Sequence, residues 1–225
     1  MEGTNVLFSI GPVQITSTLT TMWAIILILT VLSILATRKL KDVPGPLQNL
    51  AEMAVESLQK YFAGIMGAKA AKKYFPILAT YFIFIVVCNY AGLLPGAGHF
   101  KGFAVPTACL SVTAALGIIA FFTTHTIGIR ERGLKRYLLS FVTPFILMLP
   151  LNLIEQFVRP FSLALRLYGN LYGEETVVEQ LYNIFPILLP VLMNVLSLLF
   201  CLIQAMIFTM LLAVFVAEAT ETEEE

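Results

Sequence analysis

Residues 137–217 read YLLSFVTPFILMLPLNLIEQFVRPFSLALRLYGNLYGEETVVEQLYNIFPILLPVLMNVLSLLFCLIQAMIFTMLLAVFVA. These 81 residues carry charge only at Glu155, Arg159, Arg166, Glu174, Glu175 and Glu179. A membrane-spanning helix needs about 20 mostly apolar residues. The run is therefore long enough for two. The stretch Asn183–Pro186 divides it, because proline lacks a backbone donor and disfavours helix in the residue before it. The expected product is a hairpin of two long helices, residues 137–182 and 186–217. Each is longer than a perpendicular crossing needs, and strong tilt absorbs the excess.

The rest of the chain has the same character. Of its 225 residues, 58% are hydrophobic and 12% charged, and its mean hydropathy is +0.86. A soluble domain has about 25% charged residues, and a chain this short cannot hide so much apolar surface in its own core. Lipid must solvate much of it. The formal net charge is zero, so no basic excess argues for a nucleic-acid partner. Cys88, Cys109 and Cys201 lack the spacing of a metal site or a disulfide framework, and no cofactor motif is present. There is no P-loop, so phosphoryl chemistry is not expected. The N-terminus, MEGTNVLFSI, lacks the positive start of a secretory signal and is expected to remain in the mature protein.

The first span is expected at residues 15–36, after an outer segment of residues 1–14. Arg38, Lys39 and Lys41 follow it and mark the cytoplasmic side by the positive-inside rule. Pro44 and Pro46 then stop the helix. Over residues 47–66, Leu47, Leu50, Ala51, Ala54, Leu58 and Phe62 recur at helical spacing, with Glu52, Glu56 and Lys60 as a separate charged set. That pattern predicts an amphipathic helix on the membrane surface. Lys69, Lys72 and Lys73 mark the inner side again. A second span is expected at 76–95 and a third at 106–129, joined by an outer loop holding His99 and Lys101. Arg130, Arg132, Lys135 and Arg136 form the strongest basic cluster, on the inner side as alternation requires. Residues 218–225 form an acidic tail, placed in the cytoplasm if the last helix crosses once. The fold class is thus an all-α integral membrane protein. It has three conventional spans, one surface helix and a long C-terminal hairpin in a single polytopic domain, with its N-terminus outside.

Within the hairpin Arg166 is the anomaly. An arginine at mid-membrane costs about 2.5–3.5 kcal/mol on insertion scales and normally faces a partner, a wet cavity or the bundle interior. At about 100° per residue, Ser162 and Asn170 lie one turn either side of it, with Gly169 close by and Arg159 and Gly173 two turns away. Small residues let another helix approach closely. Glu175 points roughly 180° from Arg166 and Glu179 follows it, while Glu174 lies about 80° away. Arginine does not release its proton, whereas a carboxylate raised by burial does. The cation reads as a fixed barrier and the carboxylates as relay sites on another face. Two blander readings stand beside this one: Arg166 pairs with Glu155 as structural glue, or the glutamates mark a helix end among headgroups. In the last helix Gln204 and Ser197 share a face, and Gln204 can reach an arginine across the hairpin. His99 and His125 read as interfacial residues rather than relays.

The segment Arg159-Pro160-Phe161-Ser162-Leu163-Ala164-Leu165-Arg166-Leu167-Tyr168-Gly169-Asn170 closely resembles the signature of subunit a of F-type ATP synthases. Asn89-Tyr90-Ala91-Gly92-Leu93-Leu94-Pro95, Pro106-Thr107-Ala108 with Val112-Thr113, and Gln204-Ala205-Met206-Ile207-Phe208 resemble further motifs of that family, in family order. The resemblance implies a stator beside a ring of c subunits, held by b-type peripheral stalk subunits among the other F-type ATP synthase subunits. The setting it implies is a bacterial plasma membrane. It makes Arg166 the essential gate between two offset half-channels for protons or sodium ions. It places Asn170 and Gln204 along this region and Glu175 in the half-channel open to the outside, with Glu174 acidic in some members. Three positions depart from the family pattern. Cys109 and Ser111 occupy positions that are often Asp and Asn, and Ser197 stands where some relatives have His. The outer path must then rely on Glu174, Glu175 and Glu179.

Two rival readings fit the sequence less well. A self-contained secondary transporter should show inverted repeats around a midplane site, and no repeat relates the N-terminal half to the hairpin. A structural scaffold explains neither Arg166 nor the acidic face.

Overall fold

The computed structural model describes residues 6–10, 13–38, 45–93, 105–140, 149–184 and 188–220. The outer loop with His99 and Lys101, the basic residues Lys39 and Lys41, the break at 185–187 and most of the acidic tail lie outside the described residues.

The chain opens with a short antiparallel hairpin, β1 (Val6–Ile10) and β2 (Val13–Thr16). Residues 15 and 16, expected at the start of the first span, belong to this hairpin. The helix α1 (Ser17–Thr37) follows. It touches the helix Ala68–Ala91, where Ile25 packs on Cys88 and Ala91, and also the turn Pro106–Ala108. Most of its apolar surface, including Trp23, Leu27 and Leu35, is exposed and suited to lipid.

Helix α2 (Pro46–Met66) takes proline into its first turn, where the missing N–H is not needed. Gly67 ends it at φ 78°, and α3 (Ala68–Ala91) starts at the next residue. That left-handed angle is open to glycine at little cost, so the chain turns sharply between α2 and α3. Helix α3 begins eight residues before Pro76, the expected start. Pro76 sits inside it, and the Lys72 carbonyl it leaves without a helical donor belongs to an exposed residue, so solvent can satisfy it.

A short 3-10 turn (Pro106–Ala108) leads into α4 (Leu110–Arg132). Gly133, at φ 78°, separates α4 from α5 (Leu134–Ser140). Helix α6 (Leu149–Ile184) and α7 (Leu188–Thr220) complete the chain. Of the helix expected over 137–182, residues 137–140 belong to α5 and 149–182 to α6, and residues 141–148 lie outside the described residues. Among the described residues, four helices are long and apolar enough to cross a membrane: α1, α3, α4 and residues 191–220 of α7. Helix α6, which carries six charged residues, is not among them.

Helix α7 is central and packs on α2, α3, α4 and α6. Phe208, Leu212, Ala213 and Val216 meet Leu78, Ile85, Leu116, Ala120, Leu163 and Leu167 in one continuous core. The Tyr81 and Phe208 rings stack at 6.1 Å. Helices α4 and α6 cross closely at Gly117, where an added Cβ would lie 2.7 Å from the Pro160 carbonyl oxygen. Backbone cannot yield there, so only glycine permits this approach.

One end of the bundle is tied by charge. Lys73 and Tyr74 of α3 both donate to the Glu131 carboxylate of α4. Arg132 of α4 donates to the Glu218 carbonyl of α7, and Arg159 of α6 binds the Glu218 carboxylate. The start of α3, the end of α4, the first half of α6 and the end of α7 therefore converge.

Candidate functional site

Helix α6 has two unlike faces. Leu163, Ala164, Leu167 and Leu171 are buried against the rest of the molecule. Ser162, Arg166, Gly169 and Asn170 are exposed. This split follows from the sequence, since the large aliphatic residues and the small or polar ones fall on separate arcs of a 3.6-residue helix. Nothing lies within 4 Å of a Cβ built on Gly169 or Gly173. The stripe is an open lane along the helix.

Arg166 stands in that lane without a hydrogen bond or ion pair among the described residues. Glu155, weighed as its partner, pairs instead with Arg159, at 2.6 Å and 3.2 Å from two guanidinium nitrogens. The spacing explains the choice. Glu155 and Arg159 are four apart, on one side of a single turn, whereas Arg166 lies three turns further on. Pro160 does not divert this pairing, because α6 continues through it.

The cross-hairpin contact of Gln204 also differs from expectation. Its Oε1 accepts from Asn170 Nδ2 at 2.6 Å, not from the arginine. Asn170 is one turn beyond Arg166 on the side nearer α7, so its short amide intercepts the glutamine. Gln204 is thereby placed next to the arginine stripe through Asn170.

Behind the stripe lies a second group of polar side chains. Glu174 is half-buried and close to Ser197 and Cys201 of α7, near enough for an electrostatic interaction with each. Ser197 Oγ is buried and has no hydrogen bond of normal geometry among the described residues. Glu174 is a near neighbour of the serine. Glu175 and Glu179 belong to α6, but their side chains lie outside the described residues. Cys109 and Ser111, the two departures at the start of α4, are in contact with each other at 3.0 Å.

The structure thus brings Ser162, Arg166 and Asn170 onto one face, Gln204 beside Asn170, and Glu174 beside Ser197. His125 is held on its own helix by the Phe121 carbonyl at 2.8 Å and by the Phe121 ring. Asn89 was missed as a site residue. It is 1% exposed, and Nδ2 donates to the Cys201 carbonyl at 3.2 Å. The available signal was a lone amide in the apolar stretch of α3. The arrangement can present one permanent cation to an approaching anionic group while holding polar side chains inside the helix packing.

Comparison with known proteins gives one consistent answer. The family model described as ATP synthase A chain matches residues 19–217. An ATP synthase subunit a of Syntrophotalea carbinolica is 43% identical over 170 residues, covering 74% of this chain and 69% of that one. The ATP synthase subunit a of Moorella thermoacetica is 40% identical over 182 residues, covering 81% and 80%. One from a Bradyrhizobium species is 40% identical over 172 residues, covering 76% and 74%.

Proposed function

The chain belongs to the ATP synthase subunit a family, and from that premise we propose that Arg166 is the gate separating its two ion half-channels. A member of this family is the non-catalytic, ion-conducting stator subunit of the membrane sector, a multi-pass membrane protein working in complex with other F-type ATP synthase subunits. A self-contained transporter is not favoured.

The observation that carries the proposal is an exposed arginine, unpaired within its own chain, on a lane of small residues. A desolvated cation without an internal partner calls for an external one. A ring of c subunits, each bearing a membrane carboxylate, supplies it. Open space over Gly169 and Gly173 lets those helices pass at close range.

An ion, proton or sodium, enters from outside along the polar groups around Glu174, Glu175, Glu179 and Ser197. It neutralises a ring carboxylate, which can then enter lipid. After nearly a full turn, that site meets the inner half-channel and releases the ion. Arg166 favours the ionised form of the arriving carboxylate, so no site passes it loaded. Because arginine keeps its proton, the gate does not itself conduct. Ser162, Asn170 and Gln204 line the passage on either side. A membrane potential contributes about 2.3 kcal/mol per charge per 100 mV.

The setting that fits is a bacterial plasma membrane with the basic ends of α3 and α4 in the cytoplasm. The N-terminus is then outside and the C-terminus inside, and b-type stalk subunits hold the assembly still. Helices α6 and α7 have 36 and 33 residues, or about 54 Å and 50 Å at about 1.5 Å per residue. Against a hydrocarbon core of about 30 Å, they lie strongly tilted.

The test is Arg166→Ala in the assembled complex. ATP synthesis and ATP-driven pumping in vesicles are expected to vanish while the ring co-purifies normally. Pumping at the unsubstituted rate would remove the arginine from the mechanism.

A further inference from the structure

Two buried amide atoms without a hydrogen bond among the described residues are complementary. Asn89 Oδ1 can only accept and Gln204 Nε2 can only donate. Asn89 is 1% and Gln204 4% exposed. Buried amide groups are normally satisfied, by protein or by water.

Their placement brings the two together. Asn89 Nδ2 donates to the Cys201 carbonyl at 3.2 Å. A helix carbonyl points toward the residues three and four positions further on, which here are Gln204 and Ala205. The Asn89 amide therefore sits against the turn of α7 that carries Gln204. The other end of Gln204 already accepts from Asn170 at 2.6 Å, and Asn170 is one turn from Arg166. Tyr90 donates to the Leu198 carbonyl at 3.3 Å, which fixes the register of α3 on α7 around this point.

We propose that Asn89 is a positioning residue for the gate: it orients Gln204 through one water held between Asn89 Oδ1 and Gln204 Nε2, and Gln204 in turn orients Asn170 beside Arg166. The α3 helix, remote from the rotor-facing lane, thereby sets the geometry of the lane. A glutamine held at one end only can rotate about its terminal torsion. Fixing both ends leaves one orientation, with Oε1 toward α6. This inference rests on the reading of Arg166 as the gate.

The test is a double-mutant cycle on the whole complex, reading ATP-driven pumping per assembled complex in vesicles. Asn89→Leu and Gln204→Leu are each expected to lower pumping about fivefold, the scale of one buried polar group left unsatisfied. The double variant is expected to match Gln204→Leu alone, because Asn89 has nothing left to orient. Asn89→Ala, which removes the amide without crowding the interface, should repeat that pattern. A residue that merely packs α3 on α7 would give effects that multiply. Multiplying effects would overturn the proposal. So would unchanged pumping in Asn89→Leu, or failed assembly of both Asn89 variants beside normal assembly of Gln204→Leu. Arg166→Ala run alongside separates the two claims. If it pumps normally, the gate reading fails. If it is inactive while the cycle multiplies, only the role of Asn89 fails.

Discussion

Arg159 and Arg166 lie two turns apart on the same helix and have opposite surroundings. Arg159 is held by Glu155 and Glu218, and its guanidinium lies 4.8 Å from the centre of the Phe215 ring. Arg166 has no such partner among the described residues. One cation has its needs met inside the subunit and the other is left to be met from outside. Charge in an apolar helix therefore carries two meanings, and only the presence or absence of a local partner separates them. The paired arginine closes the bundle; the unpaired one faces the lane.

Four substitutions probe this contrast beyond the loss expected for Arg166→Ala. Gly169→Leu fills the lane beside the unpaired arginine without altering charge. Pumping should fall about tenfold or more, since an overpacked helix contact costs roughly 1–3 kcal/mol. Pumping rates on assembled complexes would check this, and an unchanged rate would mean that no helix passes there. Glu175→Gln, beside Glu174→Gln, separates the relay candidates. Proton uptake from the outer side should slow at least severalfold in whichever variant removes the main relay, since one positioned acid or base is typically worth about 10²–10⁴-fold. Flux measured in vesicles decides between them, and equal, unaltered flux in both would move the relay to Glu179. Arg159→Gln should show the smallest effect on rate, staying within about twofold. It should instead lower resistance of the complex to heat by about 1–3 kcal/mol, since it leaves Glu218 and Glu155 without their cation. A rate defect larger than its stability defect would erase the distinction between the two arginines.

Much of this was readable from residue order. The split of α6 into an aliphatic face and a small, polar face follows from spacing alone, so the exposure of Ser162, Arg166 and Asn170 was legible. So was α2, where Pro46 and the recurrence from Leu50 to Phe62 leave little choice. The hairpin of β1 and β2 was not anticipated, although Val6, Phe8 and Ile10 alternate before Gly11-Pro12. Five-residue apolar runs look alike whether they form strand or the approach to a span. The bond from Asn170 to Gln204 depends on which of two neighbouring side chains is nearer α7. Helical projection of one helix carries no information about that. The same limit hid Asn89, whose partners are more than 100 positions away in sequence.

The crossing of α4 and α6 at Gly117 has a mechanical consequence. A stator is pushed sideways each time a rotor site passes it. With no side chain between Gly117 and the Pro160 backbone, the two helices meet as rigid rods rather than through compressible side chains. That crossing acts as a fulcrum, and the Arg159 to Glu218 tie anchors the helix one residue away. Arg166, less than two turns beyond, is the tip of a short lever, and a short lever deflects little under torque.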